Sequence, residues 1–399
     1  MLGAGVFAVF APAAQAAGAL LLVGLGIAAV VAWCNATSSA QLAAQFPESG
    51  GTYVYGRRLL GEWPGFLAGW SFIVGKTASC AAMALTFGVY LAPEGWDKPL
   101  ALVAVAAVTL ITSVGVTRTA WATKVIVIVV LAVLALVVVA AAASGTADVS
   151  RITGGTSPHG AYGVLQSAGL LFFAFAGYAR IATLGEEVRS PRRTIPRAIV
   201  ISLALALGVY LVVAITALAT LGPAALAASV APLADVANAG GWTWTVPIVR
   251  GGAALAAAGA LLALLAGITR TALAMARTGD LPGGLSRIHE RARVPRTAAI
   301  VFGVLVAVLV VVADVHFAIA FSSFGVLLYY LIANLAAFRQ DPAHRRYPRA
   351  AQVAGAAGCV ILAATLPAHA ILVGALLLVL GVAYRAIRLW RHGRSAPRS

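Results

Sequence analysis

A lysine in the middle of an apolar stretch is the residue of this sequence that most needs a chemical explanation. Lys76 lies 12 residues beyond Pro64, which corresponds to about 18 Å along a helix. If that stretch crosses a bilayer, the lysine lies near its centre, where it costs roughly 2.5–3.5 kcal/mol on insertion scales. Ionisable groups at that depth usually line a polar cavity, and the alternative is an ammonium group bonded to backbone carbonyls. Lys76 therefore marks either a functional site or a structural cross-link.

Glycines interrupt two apolar stretches at places where main-chain groups could bind a ligand. Gly3 and Gly5 lie in the first stretch, and Gly177 lies in the middle of the sixth. Glycine disfavours a continuous helix and lets another group approach the backbone. N–H groups freed in the first stretch suit a carboxylate, and carbonyls freed in the sixth suit an ammonium group. Together they predict a binding site for a zwitterion, although the same glycines are also compatible with close packing between helices.

The elements that hold these residues are predicted to lie in a membrane. Hydrophobic residues make up 61% of the 399 residues and charged residues 10%, against about 25% charged residues in a typical soluble protein. A water-soluble fold cannot bury so much apolar surface, whereas a lipid bilayer can accommodate it. The net charge of +16 does not indicate a nucleic-acid partner, because the basic residues recur in short clusters between apolar runs.

Twelve apolar runs, named segments 1 to 12 below, are the predicted membrane elements. A spanning helix needs about 20 apolar residues, and all runs but the first are long enough. The segments cover residues 1–14, 17–45, 64–91, 99–117, 121–144, 162–187, 195–221, 247–277, 297–313, 315–338, 350–366 and 368–388. Residues 222–246 are predicted to form a short interfacial helix or lid, with an ordinary loop as the alternative.

The basic residues predict which way the chain crosses the membrane. With a cytoplasmic N-terminus, 24 of the 28 Lys and Arg residues lie in internal loops or the tail, and only Lys98, Arg151 and Arg250 lie outside. This asymmetry agrees with the positive-inside rule and supports the helix count, because one missed helix would invert every later loop. We predict a multi-pass protein of the plasma (inner) membrane with both termini in the cytoplasm.

The sequence offers little for a membrane-embedded enzyme. By these boundaries the acidic residues and histidines lie in loops or near helix ends, and neither a His-Glu-x-x-His nor a Gly-x-Ser-x-Gly pattern occurs. The three cysteines lie in apolar runs without disulfide or metal-ligand spacing. We therefore predict no enzyme activity, no cofactor and no metal site. A membrane receptor or a membrane-embedded enzyme is the alternative from another class.

Four stretches, taken in order, resemble the amino acid–polyamine–organocation superfamily of amino acid permeases. They read GAGVF at 3–7, FPESGGTYVYGRRLLGEWPGFLAGW at 46–70, a sixth-helix motif over 172–197 that ends in EEVRSPRRTIPR, and a stretch over 270–282 that ends in MARTGDLP. The resemblance implies an all-α polytopic membrane protein of about twelve helices, with helices 1 and 6 interrupted. It also implies a single transporter domain over 1–399: two inverted five-helix repeats (1–144 and 162–338), two extra helices (350–388) and a cytoplasmic tail (389–399).

The resemblance also implies which residues bind an amino acid. It assigns the substrate carboxylate to Gly3, Ala4 and Gly5. The amino group and the gate fall to the sixth segment, at Phe173, Ala174, Phe175, Ala176 and Gly177. Phe173 matches the aromatic residue that covers the site in the family, and Lys76 lies where segment 3 faces the substrate.

This sequence departs from the family pattern at three places. It begins at the break in segment 1, so the inner half of that helix is expected to be missing or to be encoded upstream of Met1. Ala179 stands where many members carry an acidic residue, which excludes a proton-sensing carboxylate there. Val130 stands near the position of a lysine in some proton-coupled members, and Lys124 lies closer to the predicted cytoplasmic end.

These features predict secondary active transport of an amino acid by alternating access. Lys76 is expected to exchange a proton during transport, since burial disfavours its charged form, and to repel cationic substrates, which favours a neutral amino acid. Glu186 and Glu187 are predicted to form part of a cytoplasmic gate. A proton is favoured over sodium as the coupling ion, and an amino acid/polyamine antiporter or exporter is the alternative. The sequence leaves open which amino acid is carried, the direction of transport and the oligomeric state.

Overall fold

The computed structural model describes residues 3–48, 50–115, 120–153, 156–178, 190–289 and 294–395. Within these ranges the regular elements are all helices, and nine helical runs are long and apolar enough to cross a membrane. The helices Arg296–Val312 and Arg349–Ala364 are apolar but shorter. The protein is therefore an all-α polytopic membrane protein, as the composition predicts. The two inverted repeats and their boundaries stay a prediction.

Each predicted segment corresponds to a helix, with ends that shift by a few residues. Segment 1 forms Gly5–Ala8 and Phe10–Ala17, and segment 6 forms Gly160–Phe175 followed by a 3-10 turn at Ala176–Tyr178. The other segments form Leu21–Gln45, Glu62–Leu91, Asp97–Val114, Ala120–Ala143, Pro191–Ala228, Val246–Arg277, Arg296–Val312, Val315–Phe338, Arg349–Ala364 and Ala368–Ser395. The helix Pro191–Ala228 extends past the predicted end of segment 7 and contains a non-helical residue at Gly222, whose φ of 73° suits glycine.

Several connections contain short helices. Thr52–Leu59 joins segments 2 and 3, and Ser150–Thr153 lies between segments 5 and 6. The predicted interfacial stretch between segments 7 and 8 contains the helix Pro232–Ala239 and the 3-10 turn Thr243–Thr245. The helix begins with a proline, whose missing N–H is not needed in a first turn, and it buries Leu233 and Val236 against the bundle.

Segment 3 is the central helix of the bundle and packs most extensively against segments 8 and 10. Glycine allows the crossing with segment 10 to be close: a Cβ atom at Gly75 would lie 3.1 Å from the carbonyl oxygen of Ser322 and 3.1 Å from the amide nitrogen of Val326. A Cβ atom at Gly325 would lie only 2.8 Å from the Cα atom of Gly75. The two helices thus meet main chain to main chain, immediately beside Lys76.

Segments 1 and 6 both depart from a continuous α-helix. Val9 separates the two helices of segment 1, and Gly18 turns the chain with a φ of 58° before segment 2. A Cβ atom at Gly18 would lie 2.9 Å from the carbonyl oxygen of Thr156, so only glycine fits there. In segment 6 the α-helix ends at Phe175, and the 3-10 turn carries the chain past Gly177. The irregular stretch of segment 6 contains Gly177, as predicted, whereas in segment 1 Gly5 lies inside the helix Gly5–Ala8 and the departure falls at Val9.

A network of four charged side chains, Arg57, Glu62, Asp280 and Arg385, joins distant parts of the chain. Asp280 lies 2.8 Å from Arg57 and 2.7 Å from Arg385, and Glu62 lies 3.3 Å from each arginine. Arg385 is nearly buried and stacks its guanidinium group over the ring of Trp63. This ion-pair network connects segment 12 with the start of segment 3, the helix Thr52–Leu59 and the end of segment 8.

Candidate functional site

A cavity of about 210 Å³ lies where segments 1, 3, 5, 6 and 8 meet. Its lining includes residues from both irregular segments, together with the buried lysine. Of the residues that the sequence predicts for a site, it contains Gly3, Ala4, Gly5, Lys76, Phe173, Ala174, Ala176 and Gly177. The structure therefore gathers residues from three separate parts of the chain around one cavity.

The two irregular segments touch through their backbones at this cavity. A Cβ atom at Gly5 would lie 3.1 Å from the Cα atom of Ala174 and 3.3 Å from its Cβ atom. Gly3 faces segment 8, where its added Cβ atom would lie 3.4 Å from the Cβ atom of Ala260. Small residues on both sides of the contact keep main-chain groups at the cavity wall, where a ligand can reach them.

The carbonyl groups released by the end of helix 160–175 have partners within the protein. The N–H group of Ala176 bonds the carbonyl of Phe173. The hydroxyl of Tyr210, on segment 7, donates to the carbonyl of Ala174 at 2.9 Å. The ammonium group of Lys76 donates to the carbonyl of Ala176 at 3.1 Å. A broken helix in an apolar interior is stable only when such groups are paired, and here two side chains pair them.

Segment 1 receives the same kind of support from segment 3. The hydroxyl of Tyr90 donates to the carbonyl of Phe7 at 2.8 Å, and the two aromatic rings pack edge to face with centroids 5.8 Å apart. Tyr90 also accepts the backbone N–H of Leu233 at 3.4 Å, so it links segment 1 to the helix Pro232–Ala239. One buried phenol thus connects the irregular segment with two neighbouring elements.

Lys76 is the charged member of the cavity lining within the described part of the chain. Its side chain is buried, with 4% of its surface exposed. The hydrogen bond to Ala176 is the backbone contact that the sequence leaves as an alternative to a functional role. The structure places the lysine in both situations, because its ammonium group bonds a carbonyl and also borders the cavity.

The rest of the lining is largely apolar. It includes Phe72 and Met83 from segment 3, Ile126 and Val127 from segment 5, and Leu264 from segment 8. Hydroxyl groups come from Ser79, which bonds the hydroxyl of Ser322 at 2.6 Å, and from Thr123. A space of this kind suits a small ligand with a charged end and an apolar body.

Two aromatic residues of segment 6 have different surroundings, although the sequence predicts both for the site. Phe173 lines the cavity beside Gly5. Phe175 points away from it and packs against Tyr210, with ring centroids 5.2 Å apart. Because residues 173 and 175 lie on different faces of a helix, a single cavity does not receive both. Glu186 and Glu187, predicted for a cytoplasmic gate, lie outside the described residues, as does Ala179.

Tyr90 and Tyr210 support the site, and the sequence patterns predict neither of them. A buried tyrosine in an apolar helix needs a hydrogen-bond partner for its hydroxyl, so these residues carry a signal that something polar lies nearby. The sequence alone does not say which carbonyl each one reaches. Among the described residues, no group of three or more His, Cys, Asp and Glu side chains is placed to hold a metal ion.

Comparison with known proteins adds a second line of evidence. The profile of the family described as amino acid permease matches residues 1–386. An uncharacterized transporter of Mycobacterium tuberculosis is 54% identical over 391 residues, which cover 97% of this chain and 88% of that protein. Human cationic amino acid transporter 4 is 30% identical over 83% of this chain and 56% of its own length. The branched-chain amino acid permease BcaP of Bacillus subtilis is 26% identical over 77% of this chain and 71% of its own length.

Proposed function

This chain belongs to the amino acid permease family, a family of transporters rather than enzymes, and we propose that it carries an amino acid through the cavity between segments 1, 3, 5, 6 and 8 by alternating access. The observation that carries the proposal is the meeting of the two irregular segments at one cavity. Discontinuous helices that point main-chain groups at a cavity are a recurrent way to bind small solutes in transporters.

The substrate's two charged groups have separate partners in this proposal. The carboxylate binds main-chain N–H groups at Gly3, Ala4 and Gly5, where a helix begins and its first N–H groups have no partner within the helix. The amino group binds carbonyls of the stretch from Phe173 to Gly177, and Phe173 covers the site. The apolar side chains of Ile126, Val127 and Leu264 receive the substrate side chain. Main-chain groups thus bind both charged ends of the substrate. This supports the proposal because the described lining contains no acidic side chain that could bind the amino group.

Lys76 favours a neutral amino acid over a cationic one. Two positive charges 4 Å apart repel each other by about 4 kcal/mol at an effective dielectric constant of 20. A cationic side chain that approached the charged Lys76 on entering the cavity would meet this repulsion, with no carboxylate among the described lining residues to offset it. The relatives include transporters named for cationic and for branched-chain amino acids. The apolar lining of the cavity suits a branched-chain side chain better than a cationic one.

The coupling ion in this proposal is a proton, and Lys76 is the residue that exchanges it. Glu186 and Glu187 contribute to the cytoplasmic gate, and the protein lies in the plasma membrane with both termini in the cytoplasm. The clustering of 24 of 28 basic residues on one side supports this orientation.

Counterflow in proteoliposomes tests the proposed function. Vesicles are loaded with one unlabelled proteinogenic amino acid at a time, and entry of the same labelled compound is followed without any ion gradient. We expect rapid exchange for at least one neutral amino acid with an apolar side chain and none in protein-free vesicles. Lack of exchange for every proteinogenic amino acid would refute the proposal, and exchange limited to lysine and arginine would refute the assigned selectivity.

A further inference from the structure

We propose that Lys76 occupies the place of the substrate's ammonium group until the substrate arrives, and that substrate binding releases one proton from the site. Substrate and proton then use the same subsite in alternation, and the protein exchanges them in opposite directions across the membrane. This inference rests on the function proposed above and adds to it the sense in which proton and amino acid are coupled.

The partners of the segment 6 carbonyls are the starting point. The carbonyl of Phe173 accepts a backbone N–H group, and the carbonyl of Ala174 accepts the hydroxyl of Tyr210. The carbonyl of Ala176 accepts an ammonium group, and that group is Lys76. An alkyl ammonium bonded to a main-chain carbonyl is the contact that a substrate's amino group is proposed to make. The protein therefore supplies its own cation at that position.

Lys76 can leave the carbonyl of Ala176 more easily than Tyr210 can leave the carbonyl of Ala174. Its ammonium group is carried on a flexible four-carbon stem and borders the cavity, so it can turn away within the same space. Tyr210 is buried and is wedged against the ring of Phe175. Of the two side chains that pair these carbonyls, Lys76 is thus the one that a substrate can displace.

The surroundings do not stabilise two ammonium groups at once. The titratable group near Lys76 is the thiol of Cys80 on the same helix, whereas the phenol of Tyr178, two residues beyond Ala176, stacks on the ring of Tyr330. On the neighbouring segments, Lys124 follows the lining residue Thr123, and Arg270 lies three residues beyond the lining residue Gly267. The helices Gly5–Ala8 of segment 1 and Val315–Phe338 of segment 10 contain no acidic residue. No carboxylate faces the lysine from these described elements.

In the proposed cycle the site gives up one positive charge when a zwitterion enters, so that two ammonium groups never share the carbonyl of Ala176. The N–H bond of the Lys76 ammonium group breaks, the nitrogen keeps the electron pair, and the proton passes to water. The loaded site then holds a neutral Lys76 amine and the substrate's ammonium group on the carbonyl of Ala176. When the substrate leaves, Lys76 takes a proton from the side of release and returns to the carbonyl.

This cycle fixes the direction of coupling. The loaded transporter crosses without the proton, and the unloaded transporter returns with it, so one proton moves against each amino acid. An acidic interior should drive uptake into vesicles, whereas a symporter would need an acidic exterior. With the membrane potential clamped, a one-for-one exchange can accumulate substrate up to about tenfold for each pH unit of gradient.

Proteoliposomes with an imposed pH gradient and a potential clamped by valinomycin and equal potassium test the inference. The probe is the proteinogenic amino acid that gives the fastest counterflow. We expect several-fold accumulation with an acidic interior, abolished by nigericin, and none with an acidic exterior. Lys124→Met, which removes an exposed lysine that does not line the cavity, should behave like the unaltered protein. In Lys76→Met, whatever transport remains should not respond to the gradient.

A binding measurement keeps the inference testable if Lys76→Met does not fold. The purified protein in weakly buffered detergent is mixed with the same amino acid and with its 2-oxo analogue, which lacks the amino group, and a pH indicator reports released protons. We expect about one proton per bound amino acid and none for the bound analogue. Binding of the amino acid without proton release, or accumulation driven by an acidic exterior, would overturn the inference while leaving amino acid transport intact. Absence of counterflow for every amino acid would instead overturn the proposed function, and this inference with it.

Discussion

At Gly5 the backbones of segments 1 and 6 approach more closely than a side chain allows. In Gly5→Ala the new methyl group would lie 3.1 Å from the Cα atom of Ala174, so one of the two segments must move. Overpacking of this kind typically costs about 1–3 kcal/mol. We expect Gly5→Ala to lower the apparent Tm in detergent and to slow counterflow by about tenfold or more. A change of about 1.4 kcal/mol in the free energy of the transport-competent arrangement is enough for a tenfold effect.

Gly251→Ala provides the matched control for this substitution. Gly251 lies in the helix of segment 8, and a Cβ atom there would meet no other atom within 4 Å. Replacing a helical glycine by alanine in open space contributes up to about 1 kcal/mol of helix stability, so this variant should be as stable as the unaltered protein or more so. Equal behaviour of the two variants would show that the contact between Gly5 and Ala174 is not important.

Tyr210 offers a second test at the scale of one residue. In Tyr210→Phe the buried carbonyl of Ala174 loses its 2.9 Å partner, and an unsatisfied buried acceptor costs about 1–3 kcal/mol. The apparent Tm should fall accordingly. Tyr162→Phe is the control, because Tyr162 is 52% exposed at the start of segment 6 and a surface change there should stay within about 0.5 kcal/mol. Equal Tm values for both variants would argue against a supporting role for the Tyr210 hydroxyl.

Some of these residues can be predicted from the sequence and others cannot. Glycine in an apolar helix and lysine at mid-membrane depth both carry a local cost, so the residue types at Gly5, Gly177 and Lys76 are enough to single them out. The hydrogen bonds of Tyr90 and Tyr210 depend on how distant helices pack, which local sequence does not encode. For the same reason the sequence predicts Phe175 for the site, whereas helix geometry turns it towards Tyr210.

Between elements, the ion-pair network of Arg57, Glu62, Asp280 and Arg385 is the feature with the largest expected effect on stability. Asp280→Asn removes the negative charge that pairs with Arg385, whose side chain is 3% exposed, and leaves one side-chain oxygen instead of two to accept from Arg57, Arg385 and Tyr53. Removing one member of a buried ion pair typically costs about 3–5 kcal/mol, and here Glu62, 3.3 Å from Arg385, remains to compensate part of the buried charge. We expect a clearly lower apparent Tm for this variant.

Glu48→Gln makes the same chemical change in an exposed pair. Glu48 and Arg58 lie 2.7 Å apart, but their side chains are 45% and 53% exposed, and such pairs contribute about 0–1 kcal/mol. The control should therefore differ little from the unaltered protein. A similar small effect in Asp280→Asn would mean that segment 12 is held to the bundle mainly by apolar contacts.

The sequence predicts the elements better than their ends and connections. Long apolar runs of suitable length give the positions of the helices, because a membrane span leaves a strong compositional signal. The short helix Thr52–Leu59, which contains two arginines, lacks that signal. The extension of segment 7 beyond Gly222 to Ala228 is also missed, because Gly222 and Pro223 favour an end to the helix.

For the whole molecule, the distribution of basic residues predicts an orientation that cysteine labelling can test. Cys34, Cys80 and Cys359 are all buried and should not react with a membrane-impermeant maleimide. Glu94→Cys places a thiol in an exposed connection after segment 3, and Ala343→Cys places one in an exposed connection after segment 10. With intact cells we expect labelling of the first variant and not of the second until the membrane is permeabilised. The reverse result would contradict the assigned orientation.

The crossing of segments 3 and 10 has a consequence for how such a bundle can rock. Gly75 and Gly325 touch through their main chains, and Lys76 follows directly on segment 3. If the two helices tilt against each other, this contact is the natural fulcrum, because the two main chains approach most closely there. Points near a fulcrum sweep the shortest arc, so the lysine ammonium would hold nearly the same depth while both ends of the bundle open and close in turn.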